Sequence, residues 1–230
     1  KVLIANRGEI ATRVIRACKE LGIPTVAIYS EEDATSLYVK KADEACLVGP
    51  GPVRGYLNPY LIVDLALQKG VDAIHPGYGF LAENAHFAEI CESCNVTFIG
   101  PSAGAIKLLG DKIAAKDVMR KAGIPIIPGS LTAIKDKEEA LKTARRVRYP
   151  VIVKAAAGGG GRGMRVCHND VRLVSALMIC QSEAEASFGN RDVFVEKYIT
   201  KPRHIEFQIL ADQSGHMIHL GERDCTIQRH

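Results

Sequence analysis

The chain has 230 residues, of which 47% are hydrophobic and 24% charged, with a formal net charge of +4. That composition excludes a disordered or fibrous chain, and no apolar run approaches the ~18 residues of a membrane span. The 30 Lys and Arg and 26 Asp and Glu are interspersed. They form no basic stripe, so charge argues for neither a nucleic-acid nor a membrane partner.

Lys1 is followed at once by the apolar run Val2-Leu3-Ile4-Ala5, and the last residues, 222–230, stop in mid-pattern. Both ends read as cuts in a longer protein. Residues 2–5 predict a buried strand. Residues 9–21 predict a helix with Ile10, Val14, Ala17, Cys18 and Leu21 on its apolar face, ended by Gly22. Strands are expected at 25–29, 46–48, 73–75 and 96–99, and helices at 60–68 and 81–91. This alternation predicts a parallel, doubly wound α/β sheet. Ligands of such sheets sit beyond the carboxyl ends of the strands, which singles out the loops 6–9 and 75–79. The first strand-to-helix turn carries Gly8 alone, so the three-glycine dinucleotide fingerprint is missing.

Residues 102–123 predict two short helices around Gly110-Asp111-Lys112, and Pro125 and Pro128-Gly129 then punctuate the chain. A second unit follows. Its expected elements are a helix at 137–147, strands at 151–154, 164–167 and 193–196, and a helix at 170–187. An antiparallel pair at 204–210 and 216–220 is joined through Asp212-Gln213-Ser214-Gly215. Arg145-Arg146-Val147-Arg148, the densest basic cluster, reads as a solvated helix face.

Seven scattered cysteines favour reduced thiols and a cytoplasmic location. Cys91 and Cys94 have C-x-x-C spacing, but a zinc site needs a second such pair. Ordinary packing is the expectation for both.

The strongest local feature is Gly158-Gly159-Gly160-Gly161-Arg162-Gly163-Met164. A run of glycines is a floppy hairpin tip or a loop whose backbone N–H groups converge on phosphate oxygens. It lies between two expected strands and lacks the G-K-[ST] of a P-loop. Nor do the kinase motifs accompany it. Lys154 closes the run Val151-Ile152-Val153, where an unpaired ammonium is expensive to bury. It either snorkels to the surface or points at nucleotide phosphates, with Lys112 as a second cation. Glu196-Lys197-Tyr198-Ile199 ends a strand, where backbone groups can meet a purine edge or simply form a polar exit. His204 reads more readily as packed or solvated than as a ligand.

Taken together these segments resemble biotin carboxylase. The similarity rests on residues 4–11 (Ile-Ala-Asn-Arg-Gly-Glu-Ile-Ala), 75–84 (His-Pro-Gly-Tyr-Gly-Phe-Leu-Ala-Glu-Asn), 110–112, 153–155, 158–164, 196–199, 202–208 and 222–229. They run in order along the whole chain. The resemblance implies the ATP-grasp fold. Residues 1–109 would be the N-terminal α/β domain, 110–130 a helical linker and 131–203 the ATP-grasp lid. Residues 204–230 would start the C-terminal ATP-grasp subdomain. It also implies that bicarbonate is phosphorylated by ATP with Mg2+ (or Mn2+), and that carboxyphosphate delivers CO2 to biotin on a carrier protein. A biotin carboxyl carrier protein or domain, a carboxyltransferase component and a homodimer partner are implied in turn. Neither nucleic acid nor membrane is.

By the same resemblance, Lys112 and Lys154 contact phosphates, Gly160 and Gly161 form the flap, and Met164 lies near the base. Glu196, Lys197 and Ile199 recognise adenine, and His204 and Gln228 touch the nucleotide further along. Tyr78 and Gly79 lie near the biotin ring, and Arg13, Arg16 and Glu20 on the dimer surface. Ala157 stands where many members have glycine, and His230 where the family has a second Arg. The family's metal-binding carboxylates, bicarbonate site and base belong to a portion beyond these residues, so no catalytic or metal residue is assigned here. Two other readings stand beside this one. One is a carbamoyl-phosphate or purine-biosynthesis ATP-grasp ligase, which the 75–84 and 222–229 segments disfavour. The other is a non-catalytic nucleotide-binding module.

Overall fold

The structure, a computed structural model, describes residues 1–156 and 163–227 and, at 188, the backbone alone. Two compact units divide it, Lys1–Ala115 and Lys116–His230.

The first unit is built on five parallel strands. They are β1 (Val2–Ile4), β2 (Thr25–Tyr29), β3 (Glu44–Leu47), β4 (Ala73–His75) and β5 (Thr97–Phe98), in the order β3-β2-β1-β4-β5. Helices cover both faces, which is why the strands are apolar without alternation. Leu3, Val26, Ile28 and Ile74 face α3 (Pro59–Gln68) and α4 (Ala85–Ser93), in a core with Ile62 and Phe87. Ile4 and Ala27 face α1 (Gly8–Glu20) and α2 (Leu37–Lys41), with Tyr38 between them.

Two expectations need correction. The buried stripe of α1 is Ala11, Ile15 and Cys18, and Leu21 is largely exposed. Ile10 and Val14 are apolar too, so the periodicity fitted a stripe one residue over, but packing against β1 and β2 selects the other. Helix α4 starts at Ala85 rather than 81, because the Asn84 side chain accepts the Phe87 N–H as N-cap. Leu81 is buried in the turn before it. Cys91 packs in the core, and burial pushes its thiol up to about 11.

A buried polar network fastens the loops after β1 and β2. Arg7 donates twice to Asp33, at 2.6 Å each. The Tyr56 hydroxyl donates to Asp33 at 2.6 Å and accepts from the Ser30 N–H at 3.0 Å. Tyr38 and Tyr56 hydroxyls meet at 2.9 Å, and the Phe80 ring stacks on Tyr56. The Arg7 guanidinium, opposing the cost of burial, holds the Asp33 carboxyl below its ordinary range.

Helices α5 (Ala103–Gly110) and α6 (Lys112–Lys121) follow, with Asp111 capping α6 by accepting the Ile113 and Ala114 N–H groups. In the second unit β6 (Val151–Ala155) lies between β7 (Met164–Cys167) and β8 (Val193–Lys197), all antiparallel. Val151, Val153, Cys167, Val193 and Val195 pack on α7 (Lys137–Val147) and α8 (Asp170–Phe188). The basic cluster is more engaged than a solvated face. Arg145 pairs with Asp170, and Arg146 donates to the Gly129 carbonyl. A separate hairpin, β9 (Ile205–Ala211) with β10 (Met217–Asp224), ends the described chain, with a register shift between His219 and Glu222. Among the described residues no helix is long and apolar enough to cross a membrane.

Replacing Tyr56 with Phe keeps the ring on Phe80 but leaves the buried Ser30 N–H without its acceptor and removes one of the two donors to Asp33 Oδ2, the other being Arg7. Stability of the first unit should fall by about 1–3 kcal/mol, read from the chemical-denaturation midpoint.

Candidate functional site

Two places in the chain carry site geometry, one in each unit. In the first, strand order reverses at β1, with β2 on one side and β4 on the other. The loops leaving β1 and β4 therefore part here and open the crevice in which such sheets bind ligands. Asn6, fully buried, ties them together by donating to the Pro76 carbonyl at 2.7 Å and the Tyr78 carbonyl at 3.0 Å. Gly77 sits at φ +65°, and a Cβ there would lie 2.6 Å from Ile10 Cγ2 and 2.8 Å from Asn6 Nδ2. Only glycine fits that corner. The Tyr78 hydroxyl donates to Glu9 in the first turn of α1, while most of the Tyr78 side chain remains exposed. Gly79, at φ +70°, completes the loop.

His75 shapes the same loop. Its Nδ1 accepts the Gly77 N–H at 3.0 Å, and burial lowers its pKa. The neutral ring therefore keeps its proton on Nε2.

Arg13, Arg16 and Glu20 lie on the exposed side of α1, where Arg16 and Glu20 pair at 2.9 Å. Lys112 opens α6.

In the second unit, side chains alternate across the sheet. The face turned away from α7 and α8 carries Ile152, Lys154, Met164, Phe194 and Glu196, matched by register. The Glu196 side chain, only 6% exposed, binds the Lys154 ammonium through Oε2 at 2.9 Å and the Lys116 ammonium through Oε1 at 2.7 Å. Lys154 therefore neither snorkels away nor stands unpaired. Its side chain is 28% exposed and can still reach a ligand on this face.

β8 is fixed from its other edge. Ser130 N–H donates to the Val195 carbonyl, Lys197 N–H to the Pro128 carbonyl, and a bridge joins Gly129 to Glu196. A Cβ on Gly129 would lie 2.4 Å from the Val195 oxygen, so the close approach needs glycine.

The site residues taken from the resemblance are thus divided. Lys154, Met164 and Glu196 share one face. Lys197 projects from the other, where its ammonium donates to the Arg148 and Tyr149 carbonyls, at 2.9 and 3.0 Å. Ile199 and His204 are exposed, and the His204 backbone pairs with Thr226 and Cys225. Gly160, Gly161 and Gln228 lie outside the described residues, as do Ala157 and His230. Lys116 was missed, although it stands one helical turn beyond Lys112, the spacing at which two side chains share a helix face.

No magnesium ligand stands out among the described residues. Glu196, the buried carboxylate of this face, is saturated by two ammoniums, and the described residues hold no cluster of three or more His, Cys, Asp or Glu side chains suited to a metal.

Residues 1–106 match the biotin carboxylase N-terminal domain, and residues 111–230 the ATP binding domain of the carbamoyl-phosphate synthase L chain. Over 229 residues the chain is 58% identical to the 2-oxoglutarate carboxylase small subunit of Hydrogenobacter thermophilus, covering all of this chain and 48% of that one. It is 57% identical to biotin carboxylase 1 of Bacillus subtilis, covering 51% of it. Among solved structures, a biotin carboxylase complex with β-γ-ATP from Campylobacter jejuni aligns with a TM-score of 0.92 at 51% identity, over 97% of this chain and 50% of that one. The biotin carboxylase domain dimer of the Hydrogenobacter enzyme, with MgADP, ADP and bicarbonate, aligns with a TM-score of 0.90 at 58% identity, over 97% and 49%. These likenesses place the fold in the ATP-grasp class. The chain belongs to the biotin carboxylase family. It spans about half the length of the curated relatives it matches.

The lowered pKa of His75 fixes the sign of a pH effect. Above the unfolded value of about 6.5 both states are neutral, and below it the unfolded chain binds the proton first. Stability should therefore fall as pH drops from 7.5 to 5.5, by no more than about 1.4 kcal/mol per pH unit. His75→Asn, whose Oδ1 can accept the same N–H, should flatten that dependence in paired urea titrations.

Proposed function

We propose that this chain is the N-terminal portion of an ATP-dependent biotin carboxylase and supplies part of its nucleotide site. The observation that carries this reading is Lys154, a partly exposed ammonium held by Glu196 on the face of the second unit's sheet turned away from α7 and α8, where Met164 also lies. A cation in that position can meet a polyphosphate and neutralise charge that develops during phosphoryl transfer.

In the proposed reaction ATP phosphorylates bicarbonate, and carboxyphosphate delivers CO2 to a ureido nitrogen of biotin on a carrier protein. Lys112 and Lys154 hold phosphates. Glu196, Lys197 and Ile199 offer backbone to adenine, with Met164 against the base and His204 and Gln228 further along the nucleotide. Residues 131–203 act as the lid, with Gly160 and Gly161 as its flap, and closing it excludes the water that would hydrolyse carboxyphosphate. Tyr78 and Gly79 lie by biotin. Residues 1–109, 110–130 and 204–230 serve as N-terminal domain, linker and start of the C-terminal subdomain. Arg13, Arg16 and Glu20 form a homodimer surface, and the full assembly adds a biotin carboxyl carrier and a carboxyltransferase in the cytoplasm.

The whole-chain relatives favour this reading over a carbamoyl-phosphate ligase, since they are carboxylases across all 230 residues. In the full-length protein, ATP cleavage should depend on bicarbonate and rise with free biotin. ATP cleavage indifferent to bicarbonate would sink the proposal. In the 230-residue chain, calorimetry should show ATP binding that Lys154→Ala weakens tenfold or more, whereas an unchanged affinity contradicts the phosphate role.

A further inference from the structure

The site described above contains a group that the reaction does not require on its face. Lys116 is not among the residues assigned to ATP, yet its ammonium sits 2.7 Å from Glu196 Oε1 and 5.5 Å from the centroid of the buried Phe194 ring. Its side chain is only 16% exposed. The three charged groups sum to one positive charge, with each carboxylate oxygen holding one ammonium.

Consider what Lys154 must do to bind a phosphate. It has to turn away from Glu196, in whole or in part, toward the ligand. With Lys154 as sole partner, that turn would leave a buried carboxylate uncompensated, which costs several kcal/mol. Lys116 removes the cost. It stays on Oε1, further held by the face of Phe194, and keeps Glu196 neutralised while Lys154 is engaged elsewhere. We propose that Lys116 is a positioning residue for nucleotide binding, a standing counter-ion that frees Lys154 from Glu196 for the phosphates. This rests on the nucleotide reading of the same face.

The relevant measurement is calorimetry of the 230-residue chain with ATP and, separately, adenosine. Lys116→Met should weaken ATP about tenfold and leave adenosine within twofold, because the defect acts through the phosphates. Lys116→Arg should restore most of the ATP affinity. Glu196→Gln, which gives Lys154 no carboxylate to leave, should bind ATP at least as tightly as the wild type. The double variant Lys116→Met/Glu196→Gln should recover the affinity lost in the first, a coupling that independent sites do not show.

Wild-type affinity in Lys116→Met, or equal losses for ATP and adenosine, overturns the inference while a defect in Lys154→Ala leaves the nucleotide reading standing. If Lys116→Met does not fold, Glu196→Gln alone decides, and weaker ATP binding by that variant also overturns the inference. A wild-type chain that binds no ATP overturns both.

Discussion

A buried carboxylate has to be neutralised, and in the second unit that requirement organises the candidate site. Glu196 follows the apolar run Val193-Phe194-Val195 of β8, on a face where Ile152 and Phe194 are buried. Two ammoniums arrive from different elements, Lys154 from the neighbouring strand and Lys116 from α6. The geometry of the carboxylate depends on where β8 runs, and that is set by the segment 128–134 hydrogen-bonded along its edge. A glycine at 129, a strand register and a pair of lysines are parts of one constraint. Charge placed this way costs desolvation and returns pre-organisation of the cation that a ligand meets.

The first unit solves a different problem with neutral groups. Its strand order separates two loops, and the gap between them has to be wide enough for a ligand yet fixed in shape. Asn6 fixes it with amide donors aimed at two carbonyls of the opposite loop. Arg7, the next residue, turns away and locks to Asp33. Adjacent residues thus hold loops on both sides of β1, which explains why an Asn-Arg-Gly turn can follow that strand without a glycine-rich phosphate cradle.

Much of the fold was legible because short apolar runs mark strands, and helical periodicity bounded by caps and turn residues marks helices. Ala73–His75, Met164–Cys167 and Lys137–Val147 coincide with their expected bounds. The face of α1 was misread because the helix carries two adjacent apolar stripes, and only packing chooses between them. Asp33 gave no signal at all. It sits in Glu31-Glu32-Asp33, which reads as a solvated acidic turn, and its partners Arg7 and Tyr56 are more than twenty residues away on either side. Lys154 was conspicuous because it ends an apolar strand. Lys116 was not, since a lysine on an amphipathic helix is ordinary until the structure puts a buried carboxylate beside it.

The terminal hairpin has a consequence for handling the chain. Phe207, Ile209, Leu210, Met217, Ile218 and Leu220 are all exposed, on both sides of a two-stranded ribbon that pairs only with itself among the described residues. Two strands alone are marginal in water, and their outer edges offer unpaired backbone groups to any extended chain nearby. Within the 230-residue chain, edge-to-edge association would begin at the segment 205–224.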